Sequence, residues 1–95
     1  MSQIGPESVV RKSGDAAFRV IDDSAVIVMP RSAKNLTLNE VGTAVWQALD
    51  GRSVAELAAE VTRAFEVEEE VALADVITFV VQLEERGMVV VEAPR

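Results

Sequence analysis

Residues 35–51, NLTLNEVGTAVWQALDG, decide how this 95-residue chain folds. Leu36 and Leu38 alternate with Asn35 and Thr37, so a short extended segment has one apolar and one polar face. Asn39 follows without a loop and suits a helix N-cap, its side-chain oxygen accepting from an early orphan amide. Val41, Ala44, Val45, Ala48 and Leu49 then recur at helical spacing. Trp46 lies on a flank of that helix, where half-buried packing is expected. Asp50-Gly51 stops the helix, because glycine enters the left-handed region freely. Gly42, inside the helix, costs about 1 kcal/mol relative to alanine. That cost makes sense where something packs closely on the backbone. A strand this short completes little sheet by itself. It reads as an unfinished edge, left for another polypeptide to complete.

Upstream, residues 16–21 (AAFRVI) and 25–29 (AVIVM) read as a hairpin around the turn chemistry of Asp22-Asp23-Ser24. The second segment is apolar throughout, which predicts a central strand covered on both faces. Pro30 ends it, since a ring nitrogen cannot donate to a ladder. Residues 8–12 read as a weakly pairing strand, interrupted by Ser13-Gly14-Asp15, and residues 1–7 as a frayed lead-in. Downstream, SVAE at 53–56 is a capping box and opens a second helix with Val54, Leu57, Ala58, Val61 and Phe65 as its stripe. A third helix spans about 68–86, with acids in its first turn where the dipole favours them. Gly87 ends it, and MVVVE at 88–92 is a last short strand. The expected organisation is a flexible lead-in (1–7), one domain (8–92) and a tail (93–95). The expected fold class is α+β and winged helix-turn-helix-like: N-terminal antiparallel strands, three helices, a C-terminal strand.

The third helix carries more apolar surface than packing requires. On a helical wheel Phe79, Ala72, Leu83, Val76, Val80, Leu73, Ile77, Val81 and Ala74 fill about 220°, whereas a surface helix shows a stripe of about 100° or somewhat more. Only Glu84 breaks the arc. Leu73, Ile77, Val80 and Val81 are enough to dock on the first two helices. Ala72, Val76, Phe79 and Leu83 form a second flank, edged by Asp75, Gln82 and Arg86. Two readings stand for this flank: packing against the strands, or the wall of a groove, since apolar surface rimmed by polar residues is the usual form of a peptide site.

Composition excludes more than it offers. Hydrophobic residues make up 49% of the chain, enough for one modest core. With no Cys there is no disulfide, thiolate nucleophile or cysteine-held metal, and with no His the commonest general base is missing. Catalysis would rest on carboxylates, Lys or Ser/Thr, and these form no site-like cluster, so neither an enzyme nor a cofactor is expected. Asp22-Asp23 and Glu68-Glu69-Glu70 read as turn chemistry and helix-start electrostatics; a Ca²⁺ or Mg²⁺ site needs more converging oxygens. Apolar runs fall far short of the ~20 residues of a membrane span, and MSQIGPES lacks the features of a signal peptide, so a cytoplasmic protein is expected. The formal charge of −7 comes entirely from residues 49–95, with eleven acids and four bases. That half repels nucleic acid phosphates.

Taken together, LTLNEVGTAVWQALDG, SVAELAAEVTRAF and VALADVITFVVQLEERGMV resemble the PqqD-like proteins, also called RiPP precursor recognition elements. The spacing of Leu38-Asn39 and Asp50-Gly51 is the more specific part, and the resemblance covers about residues 16–91. It implies a non-catalytic winged helix-turn-helix adaptor. Such an adaptor binds the leader of a ribosomally made precursor peptide and presents it to a modifying enzyme. That enzyme is a radical-SAM protein in pyrroloquinoline quinone synthesis and a leader protease in lasso peptide systems. The resemblance further implies that the leader adds as a strand beside Lys34, Asn35, Leu36, Thr37 and Leu38, in a groove walled by Ala72, Asp75, Val76, Phe79, Gln82 and Leu83. KNLTLN is more polar than the family's usual strand. Arg31 and Lys34 read either as steering groups for an acidic leader or as solvated charges that keep the edge from aggregating.

Two rival readings use the same elements. A winged-helix regulator needs Arg, Lys, Asn or Gln on its recognition helix; this helix offers Gln82 and Arg86 among Glu69, Glu70, Asp75, Glu84 and Glu85. A homodimerisation module would close the edge strand of one copy with another.

Overall fold

The computed structural model describes residues 4–22, 24–31 and 34–92; Asp23 of the expected turn, Ser32 and Ala33 before the edge strand, the first three residues and the tail lie outside them. Along the chain come β1 (Val9–Lys12), β2 (Ala17–Ile21), β3 (Ser24–Met29), β4 (Lys34–Leu38), α1 (Glu40–Ala48), β5 (Arg52–Ser53), α2 (Val54–Phe65), α3 (Glu69–Glu85) and β6 (Val89–Glu92). The strands form two antiparallel three-stranded sheets, ordered β5-β1-β6 and β2-β3-β4. This is the expected α+β arrangement, strands first, then helices and a closing strand.

The local signals act where the sequence places them. Asn39 caps α1, its Oδ1 accepting from the Gly42 amide at 2.8 Å. Gly51 takes φ +81 past the end of that helix. Ser53 and Glu56 close both halves of the capping box, at 3.1 and 2.9 Å. Hydrogen bonds from the Ser53 amide, then from its hydroxyl, hold the Glu56 carboxyl below its usual value. The associated stabilisation is therefore present at neutral pH and fades as pH falls through the lowered folded-state value. Ser53→Ala should lower unfolding stability by about 1 kcal/mol, read as a lower urea midpoint at unchanged slope.

Both later helices end with a left-handed residue. At Gly87 (φ +72) the Met88 amide bonds the Leu83 carbonyl at 2.9 Å and the Gly87 amide that of Glu84 at 3.0 Å, with Met88 and Leu83 both buried. That is a Schellman closure with its apolar contact. At the end of α2 the left-handed residue is Glu66 (φ 54), where an L side chain is strained. Glu66→Gly should raise stability by up to about 1 kcal/mol, seen as a higher thermal midpoint.

Three expectations change. First, β3 is central but not covered on both faces: Ala25, Ile27 and Met29 are buried, whereas Val26 and Val28 are half-buried. Flanking strands shield the open face from the side, Val26 lying between Arg19 and Thr37, and Val28 between Ala17 and Asn35. A β-branched residue can sit there without a second layer. Second, Trp46 is 1% exposed, not half-buried. Phe18 tilts against it at 6.0 Å between centroids, and the Lys12 ammonium covers its ring at 5.1 Å. Third, α3 docks through Ala72, Val76, Val80 and Leu83, whereas Leu73 and Ile77 lie at the margin, half-buried. An apolar arc of such width leaves the seam undetermined by periodicity, and the packing of α2 and the strands chooses it.

The chain's start is also tied down beyond what its composition predicts. Within the expected lead-in the Pro6 carbonyl accepts from the Ala55 amide at 2.8 Å, and just after it the Ser8 carbonyl accepts from the Val54 amide at 2.9 Å. Its first described residues are thereby stitched to the start of α2. β1 is a full sheet member between β5 and β6.

Candidate functional site

Among the described residues, β4 pairs with β3 alone. Along its other side, alternate residues turn N–H and C=O groups toward no strand. Register places Leu36 opposite Ile27 and Leu38 opposite Ala25, on the core side, and Asn35 and Thr37 opposite Val28 and Val26, on the open face. Leu38 is buried and Leu36 half-buried.

A groove of about 390 Å³ lies between this edge and α3. Val45, Val61 and Val76, one from each helix and each 2% exposed, form its floor. Leu36, Thr37 and Leu38 line one side. Phe79 lines the other, with Asp75, Thr78 and Gln82 beside it and exposed. Asn39, Val41 and Gly42 contribute from the start of α1.

Gly42 accounts for how the walls meet. A Cβ built there would stand 3.6 Å from Cε1 of Phe79, 3.4 Å from Cβ of Leu38 and 3.3 Å from Oδ1 of Asn39. The Phe79 ring therefore lies close to bare helix backbone; a Cβ at position 42 would crowd the Asn39 cap oxygen and fill the remaining space, and a larger side chain would push on the ring or the strand. The glycine in the opening stretch of sequence marks this contact.

Of the residues expected at the site, Leu36, Thr37, Leu38, Asp75, Val76, Phe79 and Gln82 line the groove. Lys34 and Asn35 lie on the same strand, exposed, outside the lining. Ala72 and Leu83 are different: both are 0% exposed and belong to the core, so the wall does not include them. They sit on the docking seam of α3, which the wheel had placed one flank over. Asn39, Val41, Gly42, Val45, Val61 and Thr78 also line the groove and were not among the expected site residues. For Val41, Val45, Val61 and Thr78 the approach to β4 is set by helix packing, which leaves no local trace.

The opposite edge of this sheet, β2, likewise has no strand partner on its outer side among the described residues and exposes Val20 and Ile21. None of its residues lines the groove. Among the described residues no His, Cys, Asp or Glu cluster could hold a metal ion, and no helix is long and apolar enough to cross a membrane.

Comparison with known proteins follows the same outline. The family model described as coenzyme PQQ synthesis protein D (PqqD) matches residues 24–89. No curated protein matches significantly. Among solved structures, lasso peptide synthetase B1 complexed with the leader peptide is 30% identical, with a TM-score of 0.75 over 85% of this chain and 96% of that one. TbiB1 in complex with the TbiA(beta) leader peptide gives a TM-score of 0.77 at 20% identity, over 83% of this chain and 93% of that one. The PqqD truncation of Methylobacterium extorquens PqqCD, a stand-alone RiPP recognition element, gives 0.77 at 16% identity, over 93% and 95%. The last two speak to fold alone.

Proposed function

The chain belongs to the PqqD family, and from that premise we propose that it is a non-catalytic adaptor that binds the leader segment of a ribosomally made precursor peptide by strand addition to β4. The observation that carries the reading is a bare strand edge bordering an apolar groove, with Phe79 on the facing wall. Two solved relatives are leader-peptide complexes. The adaptor hands the bound leader to a modifying enzyme. The 30% identity to a lasso peptide synthetase component favours a leader protease over a radical-SAM protein as that partner.

Energetics suit a modest, exchangeable complex. Micromolar binding requires about −8 kcal/mol. Ladder hydrogen bonds to the edge give about 0.5–1.5 kcal/mol each, whatever the client's sequence. One or two client side chains buried against Phe79 and Leu36 add about 1.5–3 kcal/mol each and confer selectivity. Ordering the client offsets part of this. A second copy of the chain would compete for the same edge.

The test is a titration of isotope-labelled protein with the leader of the precursor encoded beside its gene. Amide shifts should concentrate in β4, the first turn of α1 and residues 75–82 of α3. Shifts confined to the exposed side of α2, around Ala59 and Arg63, would refute the placement.

A further inference from the structure

Among the described residues that line the groove only Asp75 is ionic; Thr37, Asn39, Thr78 and Gln82 supply the remaining polarity, and the rest are apolar. Asp75 is exposed and takes part in none of the ion pairs described, Arg11–Glu92 and Arg63–Glu60 lying elsewhere. Its own helix adds the same sign at Glu69 and Glu70 in the first turn and at Glu85 in the last. Arg31, Lys34 and Arg86 all lie outside the lining.

Spacing turns that charge into a selector. In a strand added to β4, alternate side chains face α3 and stand about 6.6 Å apart. Asp75 and Phe79 are four residues apart on one helix, about 6 Å along its axis. For a client strand running alongside α3, successive groove-facing side chains match the spacing of the aromatic wall and the carboxylate. We propose that the client carries an aliphatic or aromatic anchor against Phe79 and, two residues from it, a lysine or arginine paired with Asp75. The proposal rests on the strand-addition reading above and deepens it. An acidic residue at that second position is disfavoured by like charge at the exposed rim of the groove. The basic groups on the β3–β4 side are thereby left to the ends of the client.

A random-peptide display library selected on the intact protein tests this without knowledge of the natural leader. Wild type should enrich sequences with Lys or Arg two positions from an apolar anchor. In a single selected peptide, exchanging that base for Glu should weaken binding about fivefold, as for a partly exposed pair, and added salt should shrink the difference. Asp75→Asn should erase the preference, and Asp75→Lys should reverse it toward Asp or Glu. Enrichment of anchors with no charge preference, unchanged by Asp75→Lys, overturns the pairing and leaves strand addition intact. Absence of any enrichment that Phe79→Glu abolishes overturns both.

Discussion

Phe79→Glu is expected to weaken leader binding at least tenfold while leaving the domain folded. The ring supplies the apolar wall of the groove and rests on the bare backbone at Gly42. In the proposed complex, replacing it removes the surface against which a client side chain is buried, a contribution of about 1.5–3 kcal/mol, or one to two decades of affinity. The new carboxylate, one turn from Asp75, also leaves a second negative charge beside whatever the client buries. Folding should survive. Phe79 is half-buried at the edge of the core, and α3 remains held by Ala72, Val76, Val80 and Leu83, all at or below 2% exposure. Isothermal titration gives the affinity; the far-ultraviolet spectrum and the emission of Trp46, the chain's single tryptophan, report the fold. Phe79→Ala should fall between the two. Undiminished affinity in a folded Phe79→Glu protein would place the client elsewhere.

Trp46→Ala should cost the domain about 3–5 kcal/mol, the usual price of emptying a large buried aromatic site. Natural domains have roughly 5–15 kcal/mol in all, and one of this length has a small core. The variant is therefore expected at the margin of folding, with a urea midpoint shifted far down when followed by circular dichroism. The site is central: Trp46 is 1% exposed, with Phe18 of β2 against its ring and Lys12 of β1 over it. One side chain on α1 thus touches both sheets. Trp46→Phe, which keeps an aromatic ring but loses volume, should cost less than half as much. A Trp46→Ala protein as stable as wild type would mean that the two sheets are held together by something other than this contact.

The reach of the sequence follows the range of the interactions. Helix caps were readable because each is settled within a few residues: Asn39 with Gly42, Ser53 with Glu56, Gly87 with Leu83. The β2–β3 hairpin was readable for the same reason. The pairing of β1 with β6 was not, since Val9 meets Glu92 from the far end of the domain and four-residue strands carry no record of their partners. Nor was the roll of α3, whose wide apolar arc offers several seams of similar merit; the choice moved Ala72 and Leu83 from wall to core. Of the groove floor, only Gly42 gave notice, because a glycine inside a helix is a local cost in want of a nonlocal reason. The valines beneath it look like any other core valines.

The side-by-side, antiparallel run of β1 and β6 has a practical consequence. Val9 and Glu92 are cross-strand partners, so the start of the first strand and the end of the last lie side by side. None of the groove's lining comes from those two strands. The unit is therefore suited to insertion into a host protein as a plug-in module, or to grafting onto an enzyme, with the groove between β4 and α3 left clear.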